Sequence, residues 1–166
     1  MTVYKLMLLG EIGVGKTSLV RRLVLDRFDF DYKPTIGVDV YRYEVPPAAG
    51  RKAMSLIIWD TDGNYGEAIF RHVYIKEAAA AIIVGDASRP QTLDTMATLG
   101  QGFGEAFPGR HCAYILNKLD LVDEGGLVLP RSLTRPGLAL TRTSAKTGSN
   151  VQTAFHQAAT TIARRA

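Results

Sequence analysis

The run Gly10-Glu11-Ile12-Gly13-Val14-Gly15-Lys16-Thr17 constrains the chain more than any other stretch. It follows an apolar run, Val3 to Leu9, and precedes a helix-like run, Ser18 to Leu25. It fits the pattern G-x-x-x-x-G-K-[ST], which cradles phosphate between a strand and a helix. Glycines at 10, 13 and 15 let the backbone turn tightly and approach a ligand closely. Amides freed by such a turn form an anion-binding concavity, and the following helix adds the positive end of its dipole. Lys16 is placed to reach β- and γ-phosphate oxygens, and the Thr17 hydroxyl to ligate Mg²⁺. Gly13, Val14, Gly15, Lys16, Thr17 and Ser18 are therefore the candidate phosphate-binding residues. The competing reading is a glycine-rich turn that happens to carry Lys-Thr; the strand before it and the helix after it weigh against that.

The rest of the composition bounds the setting. A chain of 166 residues is one ordinary domain, residues 1–166, with 46% hydrophobic and 22% charged residues. The net charge is only +4, and its arginines are scattered, which argues against nucleic acid as a partner. The single cysteine, Cys112, forms neither an internal disulfide nor a zinc site and reads as a buried small hydrophobe. The apolar run Leu6 to Leu9 is too short for a signal peptide, and no run approaches a membrane span. The chain ends Ala163-Arg164-Arg165-Ala166, with no cysteine to carry a prenyl group. These features predict a cytoplasmic protein that either works without a lipid or is carried by a protein partner to a membrane or other structure.

Periodicity then orders the elements. Thr2 to Leu9 reads as a buried strand and Thr17 to Asp26 as a helix. Phe28 to Gly37 reads as a loop. Val38 to Val45 and Met54 to Asp60 read as a hairpin around Pro46-Pro47, the first strand carrying a bulge. A short helix is expected over Glu67 to Ile75. Ala79 to Gly85 is continuously apolar, as a central parallel strand should be. Thr92 to Phe107 reads as a helix whose Gly100, Gly102 and Gly104 each cost about 1 kcal/mol, so its end is expected to fray. His111 to Leu116 and Ala139 to Thr143 read as strands, and Asn150 to Arg164 as the last helix. Between them, Gly125-Gly126, Pro130 and Pro136 limit Leu121 to Gly137 to one or two helical turns. The alternation predicts a doubly wound α/β sheet, with ligand at the carboxyl ends of its strands.

Further stretches at those ends select the base. In Asn117-Lys118-Leu119-Asp120, the Asp120 carboxylate can accept from both the N1–H and the 2-amino group of guanine, a donor pair adenine lacks. Asn117 can tie this loop to the phosphate loop, and the Lys118 stem can lie over the base plane. After the next strand comes Thr143-Ser144-Ala145-Lys146, whose Ala145 amide can donate to the guanine carbonyl; a simple loop capping the last helix is the other reading. Asp60 is placed to hold Mg²⁺ through water, Thr35 offers a hydroxyl to the same ion, and Gly63 supplies an amide for the γ-phosphate. Phe28 either stacks on the base edge or is a core aromatic at a helix end.

Taken together, the phosphate loop, Thr35, Asp60-Thr61-x-Gly63, Asn117-Lys118-x-Asp120 and Ser144-Ala145-Lys146 resemble a Ras-superfamily small GTPase over nearly the whole chain. Pro34-Thr35-Ile36-Gly37-Val38-Asp39 and Trp59-Asp60-Thr61 look closest to the Rab branch. The resemblance implies a P-loop fold with a six-stranded, mostly parallel sheet and about five helices. It implies bound GTP or GDP, Mg²⁺, and two switch loops, roughly Phe28 to Asp39 and Thr61 to Val73, ordered by the γ-phosphate. It also implies an effector, an exchange factor and an activating protein as partners of a monomer.

The departures concern hydrolysis. Where the family reads Asp-Thr-Ala-Gly-Gln-Glu, this chain reads Asp60-Thr61-Asp62-Gly63-Asn64-Tyr65. Asn64 replaces the glutamine that orients the attacking water, and its amide falls about 1.5 Å short. A carboxylate at Asp62 facing the γ-phosphate would repel it by up to about 4 kcal/mol at a separation of about 4 Å; the same side chain could instead point away or help position water. Ile12 stands where small residues are usual and should obstruct a partner's arginine finger. Arg71 is a candidate internal arginine, with a surface arginine as the plainer reading. The expected activity is thus a slow, partner-dependent GTPase switch in which Lys16, Thr35, Gly63 and Asn64 carry the chemistry. A non-hydrolysing GTP-binding scaffold is the alternative. A P-loop kinase or ATPase is disfavoured by Asn117-Lys118-Leu119-Asp120.

Overall fold

Leu6 and Leu8 face one side of the central strand and Met7 and Leu9 the other, and all four are buried. That two-sided burial sets the architecture: helices must cover both faces of the sheet. The computed structural model describes residues 1–28, 37–61, 63–71 and 75–166, with the backbone alone at 64–67. Its strands are β1 (Thr2–Gly10), β2 (Val38–Val45), β3 (Met54–Thr61), β4 (Ala80–Asp86), β5 (His111–Asn117) and β6 (Leu140–Arg142). They form one six-stranded sheet in the order β2-β3-β1-β4-β5-β6. β2 is antiparallel to β3, and the other pairings are parallel.

Among the described residues three α-helices flank the sheet: α1 (Lys16–Leu25), α2 (Pro90–Ala106) and α3 (Val151–Arg165). Leu19, Val20 and Leu23 of α1 and Phe155, Ala158, Ala159 and Ile162 of α3 cover the face carrying Leu6, Leu8, Ile82 and Ile115. Leu93, Met96, Leu99 and Phe103 of α2 cover Met7, Leu9, Ile83 and Leu116 on the opposite face. The other two of the expected five positions hold 3₁₀ structure. Gly63–Arg71 is a 3₁₀ run, starting four residues earlier than the helix expected over Glu67 to Ile75, of which 72–74 lie outside the described residues. The proline- and glycine-punctuated segment after β5 keeps only the short 3₁₀ turns Leu119–Leu121, Glu124–Gly126 and Arg131–Leu133.

Two local expectations are corrected. β2 has no bulge: it pairs without interruption from Val38 opposite Thr61 to Val45 opposite Met54. α2 is not interrupted at its glycines, and continues to Ala106. Gly100 and Gly102 are there for packing. A Cβ at Gly100 would strike the Tyr114 hydroxyl, and one at Gly102 would come 2.6 Å from the Phe70 ring. Cys112 is half-buried, and burial pushes its thiol up to about 11, which favours the protonated form near neutral pH.

Candidate functional site

The carboxyl ends of β1, β3, β4 and β5 converge on the phosphate loop. Gly10 lies so close to the Val84 carbonyl of β4 that a Cβ has no room. Gly15 sits at φ 102°, and a Cβ there would collide with the Asn117 side-chain amide. Both positions demand glycine.

The carbonyls of this loop are held in sequence. The Ile12 oxygen accepts from Arg89 Nη2 at 2.7 Å, the Gly13 oxygen from Lys118 Nζ at 2.7 Å, and the Val14 oxygen from Asn117 Nδ2 at 3.1 Å. A trans peptide is planar, so each N–H points away from the preceding carbonyl. Fixing the oxygens of 12, 13 and 14 toward β5 and α2 therefore turns the amides of Gly13, Val14 and Gly15 to the other side. Consecutive amides presented this way make an anion site.

Lys16 is 6% exposed, and its ammonium donates to the carbonyls of Gly10 at 2.8 Å and Glu11 at 2.9 Å, at the mouth of the same loop. Ser18 follows in the first turn of α1. The Thr17 hydroxyl donates to the carboxylate of Asp60, which is fully buried at the end of β3. Two hard oxygen donors meeting at the loop fit Mg²⁺, which prefers oxygen ligands and few protein ones. Gly63 begins its 3₁₀ run directly against the loop: a Cβ there would lie 2.7 Å from the Glu11 carbonyl carbon. Thr35 and Asp62 fall outside the described residues, together with the rest of 29–36 in the first switch loop and with 72 and 73 in the second. The side chain of Asn64 is likewise outside them. Arg71 is exposed at the end of the 3₁₀ run.

On the base side, Asn117 is 1% exposed and latches three segments. Besides donating to Val14, its Oδ1 accepts from the Thr143 hydroxyl at 2.9 Å and the Ala145 amide at 3.2 Å. The Ala145 amide thus has a protein acceptor here, beside the guanine carbonyl the sequence suggests for it. Asp120 Oδ1 accepts from Ser144 Oγ at 2.7 Å, which fixes the carboxylate. Lys118 adopts a left-handed backbone at φ 67°, swinging its side chain back onto the phosphate loop. Arg22 of α1 donates to the Ala145 carbonyl at 2.8 Å and also to that of Lys146, holding the last loop from below. Phe28 is half-buried and packs on the core beneath α1 and α3.

Sequence reasoning missed Asp86 and Arg89. Asp86 ends β4 and is 1% exposed, with Lys118 Nζ at 3.0 Å and Arg89 Nε at 3.1 Å from its Oδ2. Burial pushes this carboxyl up, but hydrogen bonds from Ser88, Lys118 and Arg89 outweigh it and hold the group below the usual aspartate value. The available signal was an aspartate at a strand's carboxyl end with an arginine three positions on, the place where such sheets put ligands.

The comparisons agree with this geometry. A family model described as Ras family matches residues 5–164. Ras-related protein Rab-31 of Rattus norvegicus is 33% identical over 155 residues, covering 91% of this chain and 78% of the relative. Ras-related protein RABF2b of Arabidopsis thaliana is 34% identical over 165 residues, covering 97% and 80%. Ras-related protein Rab-32 of Mus musculus is 38% identical over 94 residues, covering 57% and 42%. The chain belongs to the Ras family of small GTPases, close to its Rab branch, and is a switch that binds and hydrolyses GTP.

Proposed function

We propose that the nucleotide lies across the two loops described above, its phosphates on the amides of Gly13 to Ser18 and its base against Asp120. The observation that carries this reading is the set of outward-held carbonyls at Ile12, Gly13 and Val14. Lys16 exchanges its carbonyl partners for β- and γ-phosphate oxygens. Thr17 and Thr35, with Asp60 through water, would hold Mg²⁺, which would supply charge neutralisation for the phosphates. Asp120 reads the N1–H and 2-amino group, with Lys118 along the base face and Ala145 and Lys146 beside the guanine carbonyl. Phe28 lines the base edge. Catalysis is mostly positioning and charge stabilisation. The Gly63 amide meets the γ-phosphate, and Asn64 steers the attacking water.

Hydrolysis is slow in this reading, because Asn64 is short of the water and Asp62 adds negative charge. Ile12 is 42% exposed at the loop, where a partner's arginine would enter, so arginine-finger activators work poorly in this reading. Effector, exchange and activating proteins read or reset the switch loops. Among the described residues no helix is long and apolar enough to cross a membrane, and membrane recruitment would come through such a partner. A single-turnover GTP assay tests the kinetic part. Phosphate release slower than that of unassisted Ras-type proteins supports it; release well above theirs rejects it. Exchange of nucleotide with no phosphate release at all would favour the scaffold reading instead.

A further inference from the structure

We propose that Arg89, carried on the buried Asp86, is a positioning residue for the phosphate loop, clamping the Ile12 peptide so that the Gly13 amide faces the nucleotide phosphates. The inference rests on nucleotide binding at this loop and adds a residue to it from outside the recognised motifs.

Asp86 is a buried carboxylate serving two cations, each of which donates to a different carbonyl of the loop. Lys118 reaches the Gly13 oxygen, and Arg89 reaches the Ile12 oxygen. The guanidinium suits this double duty, because its planar fork donates from Nε to Asp86 at 3.1 Å and from Nη2 to Ile12 at 2.7 Å at once. Arg89 is also the N-cap residue of α2, so the clamp joins that helix to the loop. A second bond reinforces the joint: the Thr95 hydroxyl donates to the Glu11 carboxylate at 2.9 Å. α2 thus grips two consecutive loop residues, Glu11 and Ile12. Without Arg89, the Ile12 peptide loses its partner from α2 and its plane can rotate, which takes the Gly13 amide off its target.

The test uses the full chain loaded with a fluorescent GDP analogue and Mg²⁺. Arg89→Ala is expected to release the nucleotide roughly 10- to 100-fold faster, the size of one charge-assisted hydrogen bond. It should also shift the ³¹P resonance of the bound β-phosphate and leave the guanine N1–H proton resonance in place, a split that general loosening of the fold would not give. Arg89→Lys, which cannot span both partners, should recover only part of the loss. Should Arg89→Ala fail to fold, Arg89→Gln carries the same two readouts. Wild-type release rates and an unmoved ³¹P signal in whichever variant folds would overturn the proposal. Absence of GDP binding by the wild-type chain would instead overturn the nucleotide-site reading itself.

Discussion

The Asn117 side chain donates to the Val14 carbonyl oxygen at 3.1 Å, across 103 residues of chain. With the Lys118 bond to the Gly13 oxygen, it ties the loop proposed to hold phosphate to the loop proposed to read the base. Asn117 also accepts from Thr143 and Ala145. Its side chain is therefore the point at which three separate segments are held in register.

Replacing Asn117 by Ala should strip those bonds and leave the Thr143 hydroxyl and the Ala145 amide without their buried acceptor. Each such group costs about 1–3 kcal/mol. The melting temperature of the nucleotide-free protein should fall by about 4 °C or more. A melt unchanged within a degree would mean that the latch contributes little.

Ser144→Ala addresses the proposed base reader, and also removes the acceptor of the Thr147 amide. The Ser144 hydroxyl fixes Asp120 Oδ1 at 2.7 Å, so its loss frees the carboxylate to rotate away from the position proposed for reading the base. GDP affinity by calorimetry should drop by roughly 3- to 10-fold, as for one neutral-donor hydrogen bond. An undiminished affinity would show that Asp120 needs no orienting partner.

How much of this was legible beforehand depends on which physics set each residue. The residues proposed for phosphate and base could be picked out because such chemistry dictates residue types at fixed local spacings, and the structure brings them into contact: Thr17 with Asp60, Asn117 with Val14, Ser144 with Asp120. Strands β1, β4 and β5 were readable because burial on both faces forces continuous apolar runs. Gly100 and Gly102 were misread as weak points in α2, because their reason lies in Tyr114 and Phe70, which are remote in sequence. Asp86 and Arg89 were missed for the same cause: an aspartate and an arginine three apart look like a surface pair until β4 is seen ending beside β5 and the loop.

Those helix glycines make a paired test of packing against propensity. Gly104 has open space around it, so Gly104→Ala should stabilise the protein by about 0.5–1 kcal/mol through helix propensity. Gly100→Ala gains the same propensity but drives a methyl into Tyr114, and overpacking costs about 1–3 kcal/mol. Denaturant midpoints should therefore move in opposite directions. Movement in the same direction would refute the packing explanation.

Stability should also fall as the medium is acidified through the histidine range. Burial, with Arg165 nearby, holds His111 below its usual value; burial, with Arg51 nearby, does the same to His156. The folded state disfavours protonated imidazole, so the unfolded state binds more protons. The stabilisation is complete above the unfolded value, about 6.5, and is lost as pH drops through the lower folded values. His156 also shares a 2.8 Å hydrogen bond with the Tyr43 hydroxyl. Melting temperatures of wild type and His156→Gln between pH 8 and pH 5.5 should show a shallower slope in the variant. Equal slopes would remove His156 from the account.

The most direct measurement is calorimetric titration of the wild-type chain and of Asp120→Ala with GDP and with ADP, in the presence of Mg²⁺. The account predicts tight GDP binding and a GDP preference of at least about a thousandfold for the wild type, since the carboxylate pairs with two donors that adenine lacks. It predicts that most of this preference disappears in the variant. Comparable wild-type affinities for the two nucleotides, or a purine preference that survives loss of the Asp120 carboxylate, would contradict it.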